Sequence, residues 1–146
     1  MEKKKKSVFK EGAISSDFIG NAIYKHQVKT NIGAHSIFLG QVRADEIEGK
    51  EVKAIEYSCY EELANNKLHE IREEAFEKFD LTCMHIYHST GKVKAGEICL
   101  FVFTSSVHRA EAQKASDWLV ESIKSNVPIF GKELFEDETY VWKENK

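Results

Sequence analysis

Apolar residues along the 146-residue chain follow two rhythms, and the switches between them mark its elements. From Ser15 to Tyr24, the positions Phe18, Ile19, Ala22 and Ile23 share one face of a short helix, with Ser15 or Ser16 placed to cap it. Ala34 to Val42 reads as a strand. After the turn Asp45 to Lys50, so does Val52 to Tyr60, where Ile55, Tyr57 and Cys59 alternate with Glu56 and Ser58. The two strands are expected to pair as an antiparallel hairpin. The period then lengthens: Leu63, Ala64, Leu68, Ile71, Ala75, Phe76 and Phe79 recur at three- to five-residue steps, as on one face of a helix.

Leu81 to His88 and Ile98 to Thr104 are two further strands. The second is apolar on both faces, which predicts a central position in a sheet. A second long helix is predicted from His108 to Ser125, burying Ala112, Ala115, Leu119 and Ile123, with Ser105 or Ser106 in place to cap it. Pro128 to Trp142 holds two short strand-like pieces around the acidic turn Glu136-Asp137-Glu138. Strands interrupted by long helices predict an α+β sandwich, a mainly antiparallel sheet with two long helices packed on one face.

A hydrophobic content of 42% with 11% aromatics is enough to fill one core. The single proline and the lack of low-complexity segments leave no internal boundary, so residues 1–146 are expected to form one domain behind a disordered basic tail, Met1–Lys6. No apolar segment follows the lysines and no apolar run approaches the roughly 18 residues of a span, so neither a secretory signal nor a membrane helix is expected. Lys and Arg number 21 against 24 Asp and Glu, a net charge of −3. That balance provides no global field for nucleic acid or membrane, and any bound anion must be held by a local cluster of cations. Cys59, Cys83 and Cys99 are odd in number and form no CxxC pair, which suits a reducing, cytoplasmic setting with each thiol serving as a small hydrophobe.

Cations stand at three element ends. Gln41-Val42-Arg43 closes a strand; Arg43 is either a forked anion ligand or a solvated surface residue. His108 and Arg109 fall in a first helical turn, where positive side chains are mildly unfavourable unless an anion compensates them. Lys124 ends that helix, a position that also suits the helix dipole, and Pro128, Gly131, Lys132 and Glu133 follow it. His85 and His88 lie three apart on a strand and point to opposite faces, so they cannot chelate one metal, and no metal site is expected in this chain. The pairs Glu61-Glu62 and Glu73-Glu74 fit a solvated helix face.

Taken in order, Gly33-Ala34 leading to Phe38-Leu39-Gly40-Gln41-Val42-Arg43, Ala54-Ile55-Glu56-Tyr57, Tyr60-Glu61-Glu62-Leu63-Ala64, His88 with Gly91, Ser105-Ser106-Val107-His108-Arg109, and Lys124 with Val127-Pro128-Ile129 resemble the large, catalytic subunit of molybdopterin synthase. The resemblance runs from about residue 30 to Trp142-Lys143. It implies an α+β fold with a hammerhead-like subdomain and a sulfurtransferase without a cofactor of its own. The substrate would be cyclic pyranopterin monophosphate. The sulfur donor would be the C-terminal thiocarboxylate of a small ubiquitin-like subunit, and the product the dithiolene of molybdopterin. It further implies a homodimer within a heterotetramer, whose active sites borrow residues across the dimer contact. Arg43, His108 and Arg109 match residues that line the anionic pterin pocket, and Lys124 matches a lysine beside the reacting thiocarboxylate.

Two departures bear on mechanism. The family typically has Trp-Lys-Lys-Glu or Trp-Lys-Arg-Glu after the proline, whereas this chain has Phe130-Gly131-Lys132-Glu133, so the second active-site lysine is replaced by glycine. Lys132, released by a flexible Gly131, is expected to supply the charge. Ser89 follows His88 where an Arg is usual. The competing readings are a docking module that has lost its chemistry with the Gly131 change, and an unrelated small-anion enzyme.

Overall fold

Leu100, Val102 and Thr104 alternate along one strand with Phe101, Phe103 and Ser105, and all six are buried, so the strand needs a covering layer on each side. The computed structural model describes residues 7–144 and provides both layers; the tail Met1–Lys6 lies outside the described residues. The elements are β1 (Phe9–Glu11), α1 (Ser16–His26), β2 (Ala34–Gln41), β3 (Glu46–Ile47), β4 (Lys50–Cys59), α2 (Glu61–Lys78), β5 (Cys83–Lys94), β6 (Ile98–Ser106), α3 (Arg109–Asn126), β7 (Ile129–Phe135) and β8 (Tyr140–Trp142). One eight-stranded sheet runs β2-β6-β5-β4-β7-β8, with β1 on β5 and β3 on β4. Every pairing is antiparallel except β1 with β5. No described helix is long and apolar enough to cross a membrane.

The mainly antiparallel sheet and its two 18-residue helices match the expectation from the sequence. The helices, however, do not all lie on one face. α2 and α3 bury Ala64, Leu68, Ile71, Ala75, Leu119 and Ile123 against Met84, Ile86, Leu100 and Val102. The short α1 covers the reverse side, where Ile14 and Ile19 meet Phe101 and Phe103 in a second apolar cluster. Ser15 caps α1, its hydroxyl accepting from the Phe18 N–H at 3.1 Å. The core stripe of α2 is also narrower than its pattern suggested. Leu63 is exposed, and Phe76 lies at the surface under the Arg72 guanidinium, because the buried stripe steps from Ala64 to Leu68, Ile71 and Ala75 and leaves both outside it.

The expected hairpin of β2 with β4 does not form. β2 pairs with β6 instead, through Ala34↔Ser106 to Gln41↔Ile98, since β6 needs a partner on each edge. The local hairpin is β3 with β4, turned by Glu48 and Gly49 with φ of 51° and 79°. β5 runs six residues past His88 because Gly91, at φ 75°, bends it from the β6 ladder onto β4. Neither Ser105 nor Ser106 caps α3. His108 holds that position without a side-chain bond, Ser106 donates to the His108 carbonyl, and the Ser105 hydroxyl is 2.6 Å from His35 Nδ1.

Gly33 has a steric reason to be glycine. Its N–H donates to the Ser106 carbonyl at 3.0 Å, and a Cβ there would stand 2.0 Å from the Val107 carbonyl oxygen. Gly33→Ala must therefore push the start of β2 away from the β6–α3 corner. The expected loss of stability is about 1–3 kcal/mol in urea denaturation, and an unchanged midpoint would refute the close approach.

Candidate active site

Where the end of β2, the C-terminus of α3 and strands β7 and β8 meet, the sheet leaves a cleft of about 710 Å³. Its floor comes from alternation. Tyr57 on β4 and Gly131 on β7 are register partners, as are Ile55 and Glu133, so these four positions face the same side. His88 and Cys99 complete the floor, and Lys124 enters from the last turn of α3. Val127 and Pro128 stop α3 and turn the chain into β7, which places Lys124 over the cleft rather than along the sheet.

Three cations, Arg43, Lys124 and Lys143, and two carboxylates, Asp45 and Glu133, line the cleft. Arg43 is at the rim, paired at 3.2 Å with Asp45 in an exposed contact that a stronger anion could displace. Half-buried Lys124 has its pKa lowered, first by burial and then by the neighbouring Lys143. Burial and these two lysines also hold His88 neutral, with its pKa lowered to about 4 against the pull of the Ser89 carbonyl, which lies 2.8 Å from Nδ1. The Tyr57 hydroxyl donates to Cys99 Sγ at 3.4 Å, and burial beside that thiol pushes its pKa above the ordinary phenol range. The cleft can thus hold an anion against the Lys124 and Lys143 ammonium groups, with a neutral imidazole and the Glu133 carboxylate in its floor.

The residues singled out in the sequence are only partly brought together. Gln41, Arg43, Lys124, Gly131 and Glu133 line the cleft, whereas Val42 is buried in the core. His108 and Arg109 begin α3 and are exposed there, about 22 Å along the helix axis from Lys124, so one chain cannot hold all four cations on one ligand. Lys132 is a correction. Strand alternation turns it away from Gly131 and Glu133, and its ammonium sits 4.6 Å from the Tyr140 ring centroid and 5.2 Å from that of Trp142. Gly131 is not flexible either: it is buried, and its carbonyl accepts from the Lys143 N–H at 2.8 Å.

Lys143 is the residue that sequence reasoning missed. A Cβ at Gly131 would lie 3.6 Å from Lys143 Cβ and 3.0 Å from Ile55 Cγ2, so Lys143 borders the space that a side chain at 131 would occupy. Its position next to Trp142, just past an expected strand, gave no hint of this, because the register of the β7–β8 hairpin, which decides which residue meets Gly131, is not set by periodicity alone. Ser89 lies fully buried beside β1 and does not line the cleft.

A family profile described as "MoaE protein" matches residues 14–126. A molybdopterin synthase catalytic subunit of Pyrococcus abyssi is 36% identical over 115 residues, covering 79% of this chain and 76% of that protein. One from Emericella nidulans is 35% identical over 122 residues, covering 84% of this chain. The chain spans 62% of the length of the Emericella protein and 56% of a Rattus norvegicus relative. Among solved structures, molybdopterin synthase from Staphylococcus aureus superposes with a TM-score of 0.81 at 29% identity, covering 98% of this chain and 99% of the other. A complex of subunits 1 and 2 of molybdopterin-converting factor from Helicobacter pylori shares the fold, with a TM-score of 0.80 at 20% identity.

The buried imidazole gives this floor a pH signature. Unfolded, His88 takes a proton near 6.5; folded, it resists until about 4, so its contribution to stability is complete above 6.5 and is lost as the pH falls between those values. Thermal midpoints should therefore fall between pH 7 and 4.5 more steeply for the native chain than for His88→Gln, which cannot titrate. Parallel slopes for the two would show that His88 is not held neutral.

Proposed function

The chain belongs to the MoaE family, that of the molybdopterin synthase catalytic subunits, and from that membership we propose that it performs the sulfur transfer of molybdopterin synthesis. The substrate is cyclic pyranopterin monophosphate, and the sulfur comes from the thiocarboxylate at the C-terminus of a small ubiquitin-like subunit. The observation that carries this reading is the pair Lys124 and Lys143 beside the buried, neutral His88 in one cleft. A phosphate-bearing substrate and an anionic sulfur nucleophile repel each other, and two close ammonium groups with Arg43 at the rim offset that repulsion. The cleft is also of a size that takes a small organic ligand together with the end of a peptide tail. Cys59, Cys83 and Cys99 form no disulfide, which supports a reducing, cytoplasmic setting for the reaction.

In this reading Lys143 supplies the second charge that a lysine at position 131 gives elsewhere in the family. Lys132, bound over two aromatic rings, supports the strand pair behind it. Lys124 acts as a charge. The like charge of Lys143 is part of what lowers its pKa, and a bound phosphate or thiocarboxylate restores it.

A second copy of the chain completes the site. β2 ends the sheet with one edge unpaired among the described residues, and it exposes Ile37 and Leu39 on one face. Two-fold pairing of β2 with its copy is antiparallel and sets the start of one strand beside the end of the other. Because Ala34 is opposite Ser106, the partner's His108 and Arg109 would then approach Gln41 and Arg43 at the cleft mouth.

Turnover is measured by mixing the chain with thiocarboxylated small subunit and the cyclic pterin, then assaying molybdopterin. Lys124→Ala and Lys143→Ala should each lose at least about tenfold in rate, whereas Lys124→Arg keeps much of it and Lys132→Ala stays within about threefold. Loss in Lys132→Ala with an active Lys143→Ala would return the role to Lys132. Inactivity of Lys124→Arg would make the lysine a nucleophile, and binding without any product would leave a docking module. The dimer has its own test: mixing Lys124→Ala with Arg109→Ala chains creates one intact site in each mixed dimer, so about a quarter of native activity should return. No recovery on mixing would refute the shared site.

A further inference from the structure

On the face of the sheet opposite the cleft, three metal-ligating side chains from distant parts of the sequence converge. His26 ends α1, while Cys83 and His85 are alternate residues at the start of β5 and so point to the same side. Their ligand atoms all lie within 4.8 Å of one another, with Cys83 buried and both histidines half-buried. The sequence reading excluded His85 with His88 as a chelating pair, and that geometry holds; the partners of His85 come instead from α1 and from Cys83.

The hydrogen bonds set His26 up as a ligand. Its Nδ1 lies 2.7 Å from the Ala22 carbonyl oxygen, which can only accept, so Nδ1 carries the proton and the Nε2 lone pair points away from the helix. A ring N–H anchored to a backbone carbonyl is the arrangement that fixes the tautomer of metal-bound histidines. That lone pair meets His85 Nε2 at 2.8 Å, where a hydrogen on His85 Nε2 bonds to it, so the two ring nitrogens already point at one shared position that an ion could take in place of the hydrogen. The buried Cys83 thiol accepts from the Lys29 ammonium at 2.8 Å, and Lys29 is otherwise exposed and able to swing into solvent. Phe103 packs against the His26 ring with centroids 4.9 Å apart, giving the group a rigid apolar base.

We propose that His26, Cys83 and His85 form a Zn²⁺ site that ties the end of α1 to β5, with a water in the fourth position. A His₂Cys set matches the borderline-soft preference of this ion. Tetrahedral bonds of about 2.0–2.1 Å to nitrogen place the two ring nitrogens about 3.3 Å apart, so the ion enters by opening the present contact by roughly half an ångström while the sulfur closes in. The thiol gives up its proton to solvent as the metal–sulfur bond forms, the hydrogen held between the two Nε2 atoms passes through solvent to His85 Nδ1 so that both lone pairs face the ion, and Lys29 moves aside.

The untagged full-length chain titrated with Co²⁺ tests the assignment. One equivalent should produce a thiolate-to-cobalt absorption in the near ultraviolet together with the visible bands of a tetrahedral ion, and Zn²⁺ should then displace both. Cys83→Ser should remove the near-ultraviolet band, and His85→Gln, at a half-buried position that tolerates the change, should weaken binding at least about tenfold. Lys29→Ala should tighten it. No thiolate band in a chain that circular dichroism shows to be folded would overturn the site. So would a band that survives Cys83→Ser, since the thiol would then be Cys59 or Cys99.

Discussion

The structure depends on one constraint, that β6 must be hidden from water on both faces and both edges. Val102, Phe101 and Phe103 are fully buried, and the strand sits one place in from the sheet edge with β2 and β5 beside it. Satisfying it requires α2 and α3 on one side and α1 on the other, and it draws β2 away from the hairpin that its place in the sequence suggests. The corner where β6 turns into α3 is then so tight that only glycine fits at position 33. The cleft follows from the same arrangement. It opens where β2 bends away after a register shift at Gly40/Gln41 and α3 ends, leaving Cys99 and Leu100 of β6 to form part of its lining.

The two faces of the sheet carry different chemistry. The side under α2 and α3 ends in lysines and a neutral histidine suited to anions, and the reverse side under α1 gathers two imidazoles and a thiol suited to a soft cation. β5 serves both, because a strand sends alternate residues to opposite sides: His85 goes to one and His88 to the other. The three-residue spacing that keeps these histidines from sharing a ligand is what assigns them to separate sites.

Much of this was legible in the sequence because it is local. Alternation marks the strands, three- and four-residue steps mark α2 and α3, and the serine before α1 marks its start. The order of short motifs pointed to the family and, through it, to Arg43 and Lys124. What could not be read is what long-range pairing decides. Period alone does not say that β2 joins β6 or that α1 crosses to the reverse face, and even in the local β7–β8 hairpin it does not give the register that lays Lys143 beside Gly131. Lys132 lies outside the cleft for a related reason: its place next to Gly131 in sequence counts for less than the parity of a strand, which turns adjacent residues to opposite sides.

The bond from the Lys143 N–H to the Gly131 carbonyl couples two positions twelve residues apart. A larger side chain at 131 would crowd Ile55 and the stem of Lys143 together, so the two sites cannot drift independently. Restoring a lysine at 131 in this background would add a third ammonium where the cleft already holds two and would disturb the floor as it did so. A lysine at 131 would thus be unfavourable here unless position 143 changed with it, so the charges that this part of the cleft can carry are decided by the two positions jointly.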